Sequence, residues 1–245
     1  MASINTNYGA SIALQNLNKT NSELERTQNR INTGMKVSSA KDSGAIYSIA
    51  TSQRAAAASQ DAVRAGLQRT QSITDVALAA GDTITAALEE MKGLAVSIAG
   101  STGAAQTSYL AEYNALGTEI ASAITGASFD GVNSLTALGS NAAITAVNTG
   151  SITAANATTA NVDAAIAATT STLSTLGTQS KSLGRQISFV NKLQDALEAG
   201  VGNLVDADLA KESAKLTALQ TKQQLGVQAL SIANSSSQTL LGLFR

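Results

Sequence analysis

Between Val162 and Leu204, thirteen positions advance by strictly alternating steps of four and three: Val162, Ile166, Thr169, Leu173, Leu176, Ser180, Leu183, Ile187, Val190, Gln194, Leu197, Val201 and Leu204. All but Thr169, Ser180 and Gln194 are apolar. A 3.5-residue repeat nearly matches the helical turn, so these side chains form one stripe along one side of an α-helix. At 1.5 Å per residue that helix is on the order of 60 Å long. A seam so long predicts a rod that must pair with other helices. The 245 residues contain no proline, where average usage gives roughly a dozen, so nothing of that kind interrupts a long helix.

Two further stretches carry similar seams. The first is Ala10, Leu14, Leu17, Asn21, Leu24, Gln28, Ile31 and Met35, with Asn5 or Ser11 as a candidate cap and Gly34 as a candidate end. Its two amides suit a solvated amphipathic helix, or more usefully a core position that fixes register with a partner. The second is Ile73, Val76, Ala80, Ile84, Ala87, Met91, Leu94 and Ile98, ending at the breaker cluster Gly100-Ser101-Thr102-Gly103. A shorter helix with Tyr109, Tyr113, Leu116, Ile120 and Ile124 on one face follows, which suggests two helices folded back on each other.

The long seam breaks at 204–209, where Asp208 takes the next expected place and the apolar phase restarts at Leu209. It continues through Leu216, Val227, Leu230 and Leu241, diluted by Ser213, Gln220, Gln223, Asn234 and Ser237. A half-polar helix of this kind is weak alone and should order on assembly. Between Gly126 and Asn161 helical periodicity fades. The alternations Ala143–Val147 and Ser151–Thr153 flank Asn148-Thr149-Gly150, which fits a hairpin turn or a flexible loop. The predicted fold is therefore all-α dominated. It is a long antiparallel coiled coil or bundle from both chain ends, with a small β-hairpin or loop tip in the middle.

Composition narrows the chemistry. There is no histidine and no cysteine, which rules out a Ser–His–Asp triad, a Cys–His dyad and a zinc finger. The carboxylate pairs Glu89-Glu90 and Asp206/Asp208 read as solvated helix faces, and no phosphate-cradling glycine motif is present. No enzyme, cofactor or metal is expected. Charged residues are 13%, net charge is −1, and no basic patch for nucleic acid or a membrane surface is visible in the sequence. The start, Met1-Ala2-Ser3-Ile4-Asn5, has neither a basic nor an apolar signal region, and no run of ~18 apolar residues exists to span a membrane. Lack of cysteine fits chance and selection for export about equally.

Motifs at both ends point one way. Ser3-Ile4-Asn5-Thr6-Asn7, Ala13-Leu14-Gln15-Asn16-Leu17, Thr27–Gly34 and Lys36–Asp42 open the chain. Met91–Val96 and Ser128-Phe129-Asp130-Gly131-Val132 follow, and Asp206–Glu212, Ala229–Asn234 and Leu240–Arg245 close it. In this order they resemble the terminal signatures of bacterial flagellins, over roughly 1–132 and 175–245. The chain is similar to a short, alphaproteobacterial form without large surface domains. Val205 where relatives have Glu, and Ser235-Ser236-Ser237 in place of a segment often containing Pro, soften the match slightly.

The resemblance implies a structural subunit of the flagellar filament, secreted and extracellular, exported unfolded through the flagellar type III apparatus. It implies an inner helix at 1–42, outer-domain segments at 43–128 and 161–205, a tip at 129–160 and a second inner helix at 206–245. The implied partners are copies of the chain itself, an export chaperone at the C-terminal segment, the filament cap and hook-associated proteins. Subunit assembly is expected to use Leu14, Leu17, Asn21, Leu24, Gln28 and Ile31 with Leu216, Val227, Leu230, Asn234 and Leu241. Outer packing is expected from Ile73, Val76, Ile84, Met91 and Leu94 against Leu176, Leu183, Ile187, Val190 and Leu197. In responsive relatives an animal Toll-like receptor contacts the helix matching Glu89, Glu90 and Lys92; Glu90 replaces a usual Arg, so weak recognition is expected. The Ser/Thr-rich tip offers hydroxyls for O-linked sugars. A hook–filament junction protein shares such ends and is the nearest rival. A peptidase-bearing relative conflicts with zero histidine, and a non-flagellar coiled-coil adhesin or translocator with the ordered motifs.

Overall fold

The computed structural model describes the backbone of residues 7–243 and the side chains of residues 7–235. In chain order, α1 is Tyr8–Thr33, α2 Gly44–Ala99, α3 Gly103–Gly126, β1 Ser128–Phe129 and β2 Val132–Asn133. Then come α4 Thr136–Gly139, α5 Ala142–Asn148, α6 Thr159–Val205 and α7 Leu209–Leu243. Without proline, α2 runs 56 residues and α6 runs 47.

Helix ends follow local chemistry. The cap of α1 is Asn7, whose side chain accepts from the Ala10 N–H at 3.0 Å. Ser11 lies inside the helix, and Asn5 lies outside the described residues. Gly34, at φ 68°, closes α1 in the left-handed conformation that favours glycine. The Gly100–Gly103 cluster separates α2 from α3. Asp208 accepts from the Lys211 N–H at 3.1 Å and so starts α7 one residue on, after the break that follows Val205.

The strands lie where Asp130 and Gly131 take φ of 52° and 76°, the two left-handed places of a tight hairpin turn. Ser128 pairs with Asn133 and Phe129 with Val132. The hairpin is therefore not at 143–153, where it was expected. Ala142–Asn148 is helix, capped by Asn141, which accepts from the Ala143 N–H at 2.9 Å. The alternation Ala143–Val147 misleads because it is only five residues long. Ile144 and Val147, three apart, sit on one helical face and are fully buried. Nor is the following segment a free loop. Asn114 clamps Ile152, accepting from its N–H at 2.7 Å and donating to its carbonyl at 3.1 Å.

The chain divides into two compact units. One runs to Ala58 and resumes at Gln194; the other is Ser59–Leu193. Within the second unit α2 and α6 are antiparallel. The Ser180 hydroxyl donates to Asp75 at 3.2 Å, and Lys92 pairs with Asp163 at 2.6 Å. Seventeen residues along α2 thus match seventeen back along α6. The core of this unit is built from Ile84, Leu88, Met91 and Ile98 of α2, Tyr113, Ile120 and Ile124 of α3, Ile144 and Val147 of α5, and Val162 and Leu176 of α6.

Tyr113 is fully buried, and its hydroxyl finds no hydrogen-bond partner. Burial pushes its pKa from 10.0 up to about 12. A raised pKa means the folded state holds the proton more tightly. The associated stability is complete below pH 10 and drains away as pH rises from about 10 to about 12, by on the order of 2–3 kcal/mol. Tyr113→Phe removes an unpartnered polar group, so thermal melting at pH 8 should be unchanged or higher. The same variant should lose less stability between pH 9 and 11.5 than the parent. A lower melting temperature at pH 8 would show that the hydroxyl is paired after all.

Candidate assembly interface

In the first unit α1 and α7 lie antiparallel and close against each other. Asn7 donates to the Ala233 carbonyl at 2.8 Å, Gln223 donates to Asn21 at 2.8 Å, and Arg30 pairs with Glu212 at 3.0 Å. The register is continuous into the joint below. Lys36 and Val37 N–H groups both donate to the Val205 carbonyl, at 2.7 and 3.3 Å, and Ala207 N–H donates to the Gly34 carbonyl at 2.9 Å. Val37, Ala50, Val201 and Val205 bury a small core beside this bridge. Asp42 organises the turn between α1 and α2. Its carboxylate accepts from the N–H and hydroxyl of both Ser38 and Ser39, and these bonds, the Ser38 N–H foremost, hold its pKa below the usual value.

The side of α1 that meets α7 runs Ala10, Ala13, Leu17, Thr20, Leu24, Thr27 and Ile31. Every second place is shifted by one from the apolar reading, so small residues replace Leu14 and Gln28 at the contact. Close approach explains the shift. A Cβ on Gly226 would stand 3.2 Å from Leu17, and the buried Thr20 hydroxyl is satisfied by its own helix at the Asn16 carbonyl, 2.9 Å away. On α7 the covered positions are Glu212, Leu216, Leu219, Gln223, Gly226, Leu230 and Ala233, again in strict alternation of four and three.

Of the expected assembly residues, Leu17, Asn21, Leu24, Ile31, Leu216 and Leu230 lie at least partly covered. Leu14, Gln28, Val227 and Asn234 stay exposed in the single chain, and the Leu241 side chain lies outside the described residues. The reading from apolar spacing placed Gln223 on the seam only as a residue that dilutes it, and missed Glu212 and Gly226 because they are polar or small. The signal that finds them is the unbroken step pattern itself. The Arg30–Glu212 pair is only singly bonded, and Arg30 Nε and Glu212 Oε2 are buried without partners. Such a pair adds little net stability but penalises any register that separates it.

Other large apolar groups on these helices remain in solvent: Tyr8, Ile12 and Leu14 on α1, and Leu209, Leu225, Val227 and Ile232 on α7. Leu225 and Ile232, seven residues apart, lie on the side of α7 turned away from the seam, and Val227 borders the seam. In the second unit Ile73, Val76, Ile84, Met91, Leu94, Leu176, Leu183, Ile187 and Val190 are all buried or half-buried. Leu197, in the first unit, is half-buried too. Glu89 and Glu90 are exposed, and Lys92 is held by its pair with Asp163. Among the described residues no helix is long and apolar enough to cross a membrane, and no cluster of acids is placed to hold a metal.

Known proteins match along the whole chain. The family model for the bacterial flagellin N-terminal helical region matches residues 4–140, and that for the C-terminal helical region matches 159–244. Flagellin FljK of Caulobacter vibrioides is 51% identical over 269 residues, covering 99% of this chain and 98% of the relative. A flagellin of Brucella melitensis is 37% identical over 281 residues, covering all of both. Flagellin C of Rhizobium meliloti is 32% identical over 321 residues, again covering all of both. With two terminal helical regions matched in order and full-length relatives on either side of 40% identity, this chain belongs to the bacterial flagellin family, the structural subunits of the flagellar filament.

Proposed function

We propose that this chain polymerises chiefly through the α1–α7 pair, and that its exposed apolar side chains are the contacts between copies. The observation that carries this is the set of uncovered groups on helices whose mutual seam is already closed. On α7 Val227 borders that seam while Leu225 and Ile232 face away from it, and Ile12 and Leu14 flank it on α1. Each such side chain gains about 1.5–3 kcal/mol on full burial. On this reading Leu14, Gln28, Val227 and Asn234 act between copies. Leu17, Asn21, Leu24, Ile31, Leu216 and Leu230 hold each copy's own pair, with Asn21–Gln223 fixing its register. Leu241 is assigned to the same contact from the sequence alone.

Family membership supports the finer roles. They are an inner division at 1–42 with 206–245, outer segments at 43–128 and 161–205, and a tip at 129–160. They include flagellar type III export, a chaperone at the C-terminal segment, and addition beneath a cap beyond the hook-associated proteins. Purified chain added to sheared filament seeds should lengthen them continuously by electron microscopy. Growth that stops after one layer would instead mark a junction protein. Glu89 and Glu90 are exposed on α2, Glu90 at the place where the resemblance puts a usual Arg, and Lys92 is tied to Asp163. A cell reporter for the animal flagellin-sensing receptor should respond weakly to the monomer, and a full-strength response would refute that assignment.

A further inference from the structure

The second unit carries its charge in separate bands along one helix pair. Residues 181–192 of α6 hold Lys181, Arg185 and Lys192 and no acid, around Phe189, which is 65% exposed. The register set by Asp75–Ser180 and Lys92–Asp163 places them beside residues 63–74 of α2, whose charged side chains are Arg64 and Arg69. Next along the pair, residues 75–90 of α2 hold Asp75, Asp82, Glu89 and Glu90 and no base, beside residues 165–180 of α6, which carry no charge.

The other cations of this unit are engaged: Arg64 with Asp61, Arg69 with Asp130 and Lys92 with Asp163. The three on α6 line one open groove with Phe189. Arg185 and Lys192 are seven residues apart, and so are Asp82 and Glu89. Both pairs therefore repeat at about 10.5 Å along their helices.

We propose that the basic, Phe189-centred band of α6 docks on the acidic band of α2 in a second copy, shifted by about 20–30 Å along the helix pair. The two bands cannot meet within one chain. Arg185 lies beside residue 70 of α2, so Glu89 is nineteen residues further on, about 28 Å away along the axis. A copy displaced by that amount brings equal spacings of opposite charge into line, with Phe189 covered between them. The contact is head-to-tail, so each copy offers both halves and the arrangement propagates. Opposed charge here sets the axial offset and the encounter rate more than the total affinity.

The inference rests on self-polymerisation of this chain, and two measurements on full-length protein keep the two ideas apart. The sequence has no cysteine, so Arg185→Cys with Glu89→Cys introduces only the probe thiols. A disulfide needs its Cα atoms within about 7 Å, so any bond between these positions joins two copies. Oxidation during growth on seeds should give a ladder of covalent multimers, with nothing beyond a dimer from either single variant. In a cysteine-free chain, Arg185→Glu with Lys192→Glu should slow growth about tenfold at low salt. Adding Asp82→Lys and Glu89→Lys to the same chain should restore it.

Filaments without a ladder, or a fourfold variant that stays slow, would overturn the contact and leave the filament role intact. A ladder without filaments would do the reverse. Loss of retention on a polyanion matrix in the Arg185→Glu/Lys192→Glu chain, with growth unchanged, would hand the band to an anionic polymer and overturn the proposal.

Discussion

A chain lacking residues 1–33 fails to lengthen filament seeds, at concentrations at least about a hundredfold above those at which the full chain grows. The magnitude follows from what α1 covers. Its removal exposes Leu216, Leu219 and Leu230 on α7, strands Gln223 without Asn21, and leaves Glu212 without Arg30. At about 1.5–3 kcal/mol for each large apolar side chain returned to water, the loss exceeds the roughly 2.7 kcal/mol that a hundredfold represents. A 35-residue helix with polar groups in the seam that faces α1 has little to hold it once that partner is gone. The Ser59–Leu193 unit keeps its own core, so circular dichroism of the truncated chain should retain much of its helical signal while growth is absent. A truncated chain that builds the same tube would remove the α1–α7 pair from the mechanism.

Gly117→Val destabilises the second unit by on the order of 3 kcal/mol, the upper range for overpacking a filled site. Gly117 sits in α3 where the backbone of α5 crosses it. A Cβ there would lie 2.6 Å from the Val147 carbonyl oxygen and 3.3 Å from the Asn148 Cα. Both are main-chain atoms, so relief requires moving α5 and, with it, the buried Ile144 and Val147. Gly177 gives the opposite sign. It lies inside α6 with nothing within 4 Å of an added Cβ, so Gly177→Ala should stabilise by about 1 kcal/mol through helix propensity alone. Denaturant melts of the two variants should bracket the parent. A Gly117→Val chain as stable as the parent would mean that α5 does not rest on α3.

The sequence made the long helices legible because their seams are sustained. Twelve of the thirteen places from Val162 to Leu204 are buried or half-buried, and only Leu204 is exposed, at 36%. A short element gives no such averaging. The five residues Ala143–Val147 fit a strand and a helix equally, and burial of Ile144 with Val147 decides for helix. The true hairpin was marked by its turn, Asp130-Gly131, not by alternation, since two-residue strands have none to show. The inner seam was half legible for a third reason. Spacing was clear, but the residues on it are Thr, Ala, Gly, Gln and Glu as often as Leu. Hydrophobicity alone therefore chose Leu14 and Val227, which the single chain leaves in water.

Helix α7 carries apolar groups both beside its seam and on the side turned away from it, so a pair of copies cannot satisfy it. Covering one side leaves the other wet, and each newcomer finds full burial only where several earlier copies already stand. Such a chain should persist as dissolved monomer well above the concentration that sustains growth, then extend rapidly from ends once a template is supplied. The lag, and its abolition by seeds, would be written into which sides of one helix are greasy.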